Sequence, residues 1–199
     1  MLNQEQQEAL QEIVNIGMGQ AGASIAQVLD HFVQLSIPRI LALRPEDLGA
    51  ALTRTVGAGQ VSAVRQAFHS RVRGEAIAIY GGQRCDDLAD LMGYEGMPDH
   101  ATKLELLLDV SNILIGACLR GIAEQLSSEI SFSAPSLLAD GVPVERLLCI
   151  EEASWDNALL LEVNFSLEQR SFACHLVMLM TEGEVDILAA GLDHFLAAY

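Results

Sequence analysis

The feature that most constrains this chain is an internal repeat. Residues 8–38 align without a gap on residues 105–135, an offset of 97 (Glu8 to Glu105), and 10 of the 31 aligned positions are identical. The identities are Glu8/Glu105, Leu10/Leu107, Asn15/Asn112, Ile16/Ile113, Gly19/Gly116, Ile25/Ile122, Ala26/Ala123, Leu29/Leu126, Ser36/Ser133 and Pro38/Pro135. Glu12/Asp109 and Ile13/Val110 are conservative pairs. Self-similarity at a fixed spacing marks a duplicated structural unit. The Met97-Pro98-Asp99 stretch between the copies is too short to act as a flexible linker. Residues 1–199 are therefore expected to form a single domain that shares one sheet and one core, with 1–97 as its first half and 98–199 as its second.

Each half reads as a long helix, about three strands and a shorter helix. In the first half, residues 39–43 read as a short strand, and 58–68 with 71–80 as a hairpin turning near His69-Ser70. The second hairpin strand alternates polar and apolar residues toward its end, the period of a half-buried strand. Cys85 to Tyr94 reads as a short helix, with Asp86 and Asp87 at the end of the dipole that favours carboxylates. In the second half, 144–151 reads as a strand, Trp155-Asp156-Asn157 as a turn, 158–167 and 171–180 as a hairpin and 182–197 as a closing helix. The fold class that follows is α/β. The two long helices and the shorter ones pack on a continuous, mostly antiparallel sheet with pseudo-two-fold symmetry.

Plotted at 100° per residue, Leu10, Ile13, Val14, Gly17, Ala21, Ile25 and Val28 share one side of the first helix. Glu8, Glu12, Asn15 and Gly19 form a narrow stripe on the opposite side. The second helix repeats this arrangement. Leu107, Val110, Leu114 and Cys118 lie toward the core, while Glu105, Asp109, Asn112 and Gly116 line the other face. Glycines at 17, 19, 22 and 116 each sacrifice about 0.5–1 kcal/mol of helix propensity relative to Ala. That cost points to the close approach of a neighbouring helix or a partner. The repeat itself shows common origin; the retention of an exposed Asn in both copies is what points to use.

The 199 residues carry 11 Lys and Arg against 27 Asp and Glu, a formal net charge of −16. That balance excludes a nucleic-acid partner, which is held chiefly by basic side chains, and an anionic membrane surface. The first eight residues lack the basic and apolar regions of a signal peptide, and the apolar runs read as shorter than a membrane span. The four cysteines form no C-x-x-C pair and read as reduced thiols of a cytoplasmic protein. None of the five histidines has metal-ligand spacing, and Asp86, Asp87 and Asp90 read as helix-start charge rather than a metal cluster. Gly57-Ala58-Gly59 and Gly81-Gly82 read as turn glycines, because no phosphate-loop pattern follows them.

Both stripes resemble the signature of the CheC/CheX/FliY family of chemotaxis phosphatases. That signature is an acidic or Ser residue, three spacers, Glu, two spacers, Asn, 22 spacers and Pro. The first copy reads Glu8-x3-Glu12-x2-Asn15-x22-Pro38 and the second Glu105-x3-Asp109-x2-Asn112-x22-Pro135. The resemblance implies hydrolysis of the aspartyl-phosphate of a CheY-like response-regulator receiver domain. Glu12 and Asp109 would contact the receiver's lysine, while Asn15 and Asn112 would orient the attacking water. Glu8, Gly19, Glu105 and Gly116 would lie against the partner. This chain is expected to bind no cofactor of its own, the Mg²⁺ belonging to the receiver. The alternative is a non-catalytic module of the same fold that scaffolds receiver domains, a CheD-like deamidase or a flagellar-switch complex. Asp109 departs from the family's Glu and is shorter by one methylene, roughly 1.5 Å of reach. Glu12 and Asn15 are therefore the stronger pair.

Overall fold

The computed structural model describes residues 2–29, 33–36, 39–57, 59–81, 89, 92, 94, 98–147, 157–167 and 170–197. Among them are five helices, α1 (Gln4–Leu29), α2 (Pro45–Val56), α3 (His100–Gln125), α4 (Val144–Leu147) and α5 (Glu182–Ala197). The strands are β1 (Val33–Leu35), β2 (Arg39–Leu43), β3 (Gln60–His69), β4 (Arg73–Gly81), β5 (Ser131–Phe132), β6 (Ser136–Pro143), β7 (Asn157–Leu167) and β8 (Arg170–Met180). Of the expected helix over 85–94 only residues 89, 92 and 94 are described, Ala89 as helical; the turn residues Trp155 and Asp156, and Pro38, lie outside the described residues.

All eight strands join one sheet in the order β1-β7-β8-β4-β3-β5, with β2 also pairing β7 and β6 also pairing β3. Every pairing among the described strands is antiparallel. Exchanging β1 to β4 with β5 to β8 reverses this order onto itself. The central ladder shows the same symmetry. Ala78 pairs Leu176 and Ile79 pairs His175, and positions 78 and 79 are the counterparts of 175 and 176 at the offset of 97. The pseudo-two-fold axis passes between these two pairs.

Helices cover both faces of the sheet, so the centre is buried twice over. Ala76, Ala78 and Tyr80 of β4 pack in one core with α1, α3 and α5. Ile77 and Ile79 face a second core with Leu48 and Leu52 of α2 and Val144 and Leu147 of α4. The single core expected from the sequence is thus two, one on each face. The half-buried alternation expected for this strand is corrected: a strand covered on both faces has no solvent side to keep polar, and so residues 76–80 of β4 form an unbroken, fully buried apolar run.

Local signals account for the helix ends. Asn3 and Gln6 form a reciprocal capping box at the start of α1: Gln6 N donates to Asn3 Oδ1 at 2.8 Å and Asn3 N to Gln6 Oε1 at 3.0 Å. Gln6 Nε2 also donates to Asp193 Oδ1 at 2.9 Å, tying α1 to α5. Asp99 caps α3 by accepting from Thr102 N at 2.8 Å. One element is absent from the sequence reading and one expectation is corrected. The region after β2 is helix α2, begun by Pro45 with Glu46 and Asp47 in its first turn and closed by Gly57 at φ 87. In the second half the strand comes earlier than expected, at Ser136–Pro143, and residues 144–147 of the expected strand are helical. Val144 and Leu147, three apart, both face the second core.

The two long helices meet backbone to backbone. A Cβ on Gly17 would lie 2.7 Å from the carbonyl carbon of Gly121 and 2.8 Å from Ile122 N. A Cβ on Gly121 would collide with the carbonyl of Gly17 in return. This contact fixes which faces of α1 and α3 are buried. Leu10, Ile13, Val14, Ala21 and Ile25 are inside, as are Leu107, Val110, Leu114 and Cys118. These are the expected sets, except that the side chain of Val28 lies outside the description. By length and apolarity α3 could cross a membrane, with mean hydropathy 1.6 over its best 18 residues, contrary to the sequence reading. The protein itself buries 67% of that window.

Ser111 and Tyr80, inside the larger core, satisfy one another, whereas the buried Gln66 Oε1 accepts no hydrogen bond among the described residues. Ser111 Oγ donates to Leu107 O at 2.6 Å, which commits its proton, so the Tyr80 hydroxyl at 2.8 Å donates to Ser111. Burial raises the Cys174 thiol to about 12, against a lowering by its bond with Tyr80. Burial likewise pushes Cys118 and Tyr80 well up. The remaining cysteines lie outside the described residues.

Two predictions follow from this packing. Gly17→Ala should lose about 1–3 kcal/mol in urea unfolding, because an overpacked backbone contact outweighs the gain in helix propensity. Gly19→Ala, with nothing within 4 Å of the added carbon, should gain about 0.5–1 kcal/mol. The buried thiols and phenol keep their protons in the fold, whereas an unfolded thiol releases its proton near 9.0. Unfolding therefore releases protons at alkaline pH. The urea midpoint should hold below about pH 8 and fall as pH rises past about 9, and a Cys118→Ala, Cys174→Ala variant should show a shallower fall.

Candidate functional site

The two signature stripes lie on the outer faces of α1 and α3, the helices that meet at Gly17 and Gly121. Glu8 and Glu12 are exposed and Asn15 is half-buried. Glu8 accepts from Gln4 Nε2 at 3.0 Å. Glu12 makes no hydrogen bond or ion pair among the described residues. With Gln11 and Ile40 and Ala42 of β2, the two carboxylates border an open groove between α1 and the sheet edge. The Asn15 carboxamide receives a long contact, 3.4 Å, from Gln11 Nε2 one turn before it. The first stripe thus offers an uncommitted carboxylate and a carboxamide within one turn, on a half-buried surface that water can reach.

In the second stripe Glu105, Asp109 and Asn112 are exposed, but the surroundings of Asn112 differ. Gln66, on β3 and only 2% exposed, donates through Nε2 to Asn112 Oδ1 at 2.9 Å and to Ser133 O at 2.8 Å. A peptide carbonyl can only accept, so Ser133 fixes Nε2 toward itself. The second amide hydrogen of Gln66 then requires an acceptor from Asn112. The Asn112 carbonyl is thereby turned inward. The position matching Gln66 at the offset of 97 is Val163, which has no amide to offer Asn15.

Gly116 is corrected from an exposed stripe residue to a buried one. The side chain of Arg120 covers it: Arg120 Nε donates to Gly116 O at 3.0 Å, and its terminal nitrogen would lie 2.7 Å from a Cβ at 116. The guanidinium also sits 5.6 Å from the centre of the Phe132 ring, a cation–π distance. The counterpart glycine, Gly19, is exposed and faces open space. Asn112 and Arg120 share a groove of about 370 Å³ with Gln20, Ala21 and Ser24 of α1. Sequence reading missed both Gln66 and Arg120. The available signals were an amide in an otherwise apolar strand and an arginine four residues after a repeated glycine.

No protein-family model matches the chain. Its architecture matches solved structures along almost its whole length. FliY of Thermotoga maritima superposes with a TM-score of 0.75 at 16% identity, covering 98% of this chain and 99% of that one. The FliM middle domain of H. pylori gives 0.62 at 11%, covering 96% and 99%. The chemotaxis protein CheX of Desulfovibrio desulfuricans gives 0.53 at 12%, covering 84% and 99%. The chain therefore has the fold shared by CheX, FliY and the FliM middle domain, as the two motifs implied.

Proposed function

We propose that this chain acts in chemotaxis or two-component signalling as a phosphatase for the aspartyl-phosphate of a CheY-like receiver domain, in the cytoplasm, with its principal site on α1. The observation that carries this reading is the Glu12–Asn15 pair: a carboxylate with no partner among the described residues, one turn from a reachable carboxamide, on a helix face bordered by a groove. Acyl-phosphate hydrolysis needs positioning and charge stabilisation more than covalent chemistry. Asn15 holds a water in line with phosphorus without itself competing as a nucleophile. Glu12, on the same face, pairs with a lysine of the receiver and sets the distance. Mg²⁺ bound by the receiver stabilises the phosphoryl charge. Asp109 and Asn112 form the weaker second pair, and Glu8, Gly19 and Glu105 border the docking faces.

The likeness to FliM's middle domain favours one competing reading, a scaffold of this fold that binds receivers, or a CheD-like protein, without turnover. Phosphate release from a phosphorylated receiver separates the two. Catalytic amounts of this chain should shorten the phosphoryl lifetime. Asn15→Ala should cut that acceleration about 100-fold or more with receiver binding retained, and Glu12→Ala should chiefly weaken binding. Saturating protein that binds the receiver yet leaves the lifetime unchanged would establish the scaffold instead.

A further inference from the structure

We infer that Arg120 and the side-chain amide of Asn112 form an oxyanion-binding site in the second copy, which leaves Asp109 and Asn112 the weaker of the two water-positioning pairs. This does not rest on the phosphatase reading of α1. The sheet supplies the first half of the argument. Gln66 occupies the Asn112 carbonyl, so Asn112 turns its NH₂ group away from Gln66 and presents donors. Water held for in-line attack is best bound through its hydrogens, by an acceptor; an outward NH₂ binds a lone pair instead.

Arg120 supplies the second half. Its guanidinium is held by Gly116 O through Nε and lies near the Phe132 ring. Among the described residues it makes no ion pair, although the chain has an excess of carboxylates. Glu124, which lines the same groove, is not within ion-pair distance of it. The terminal nitrogens keep their fork of N–H donors, the geometry that matches carboxylate and phosphate oxygens. The space they occupy exists because residue 116 has no side chain. The first copy cannot build this site, since Ala23 stands at the position of Arg120 and Val163 at that of Gln66. The α1 site therefore accepts a cation through Glu12, and the α3 site accepts an anion.

Two sources share this chemistry, a carboxylate on an acidic protein surface and a phosphoryl group, and two probes separate them. The purified full chain is titrated with inorganic phosphate and, separately, with acetate. Potassium chloride at matched ionic strength is the control, and the Arg120 Nε and Asn112 side-chain amide signals are followed by NMR. Saturable shifts at both signals are expected. Response to acetate alone identifies a carboxylate ligand, response to phosphate alone a phosphoryl ligand, and equal response a site that takes either oxyanion. Arg120→Gln should weaken binding about tenfold or more. Gly116→Ala should do the same by displacing the guanidinium while the fold keeps or gains stability. Asn15→Ala should leave binding unchanged. The inference is overturned if chloride reproduces the shifts, or if Arg120→Gln binds as the parent does.

Discussion

The contact on which the arrangement of this protein depends is the one between the backbones of Gly17 and Gly121. It lets α1 and α3 pack closer than side chains allow. It thereby decides how each helix is rotated about its own axis, and so which stripe is swallowed by the core and which is left to solvent. Everything of functional interest on the two stripes is set by that rotation. The carboxylates at 12 and 109 are exposed because the apolar side chains on the opposite faces have been drawn beneath them.

Features with a period were legible in the sequence. The two long helices fell where the apolar spacing put them, because each has one dominant buried face, and the two hairpins and the closing helix also fell in the expected places. The misses differ in kind. Helix α2 is short but has readable signals, Pro45-Glu46-Asp47 and Gly57 at its ends and Leu48, Ala51, Leu52 and Val56 at helical spacing between them. The run expected as a strand over 144–151 is rich in aliphatic residues, which suit a short strand and a buried helical turn alike. There, Val144 and Leu147 serve a helical turn on the far side of the sheet, while the true strand lies where the offset of 97 maps β2. The layout of the candidate site was legible only in part. Glu12, Asn15, Asp109 and Asn112 are local to one helix each, whereas Gln66 reaches Asn112 across 46 positions, and no helical spacing encodes that contact.

The structure changes the basis on which the two copies are judged unequal. From sequence, the second copy differs by the missing methylene of Asp109. In three dimensions the larger difference lies beneath and beside Asn112, where a buried amide fixes the orientation of its carboxamide and a guanidinium lies across the next turn. Neither feature is part of the repeated signature. A motif can thus be kept letter for letter while the residues that set its polarity are replaced around it.

The helix contact also bears on how the halves of such a duplicated chain pair. Gly121 is the counterpart of Ser24, and Gly17 that of Leu114. Two identical first halves would oppose Gly17 with Ser24, and two identical second halves would oppose Leu114 with Gly121. Each mismatch places a side chain where the native pairing has none. Like meeting like is thereby penalised, and unlike halves are each other's best partners. The glycine pair acts as a key that fits only the unlike half. It disfavours the pairing of like halves, whether the unlike halves come from one chain or from two.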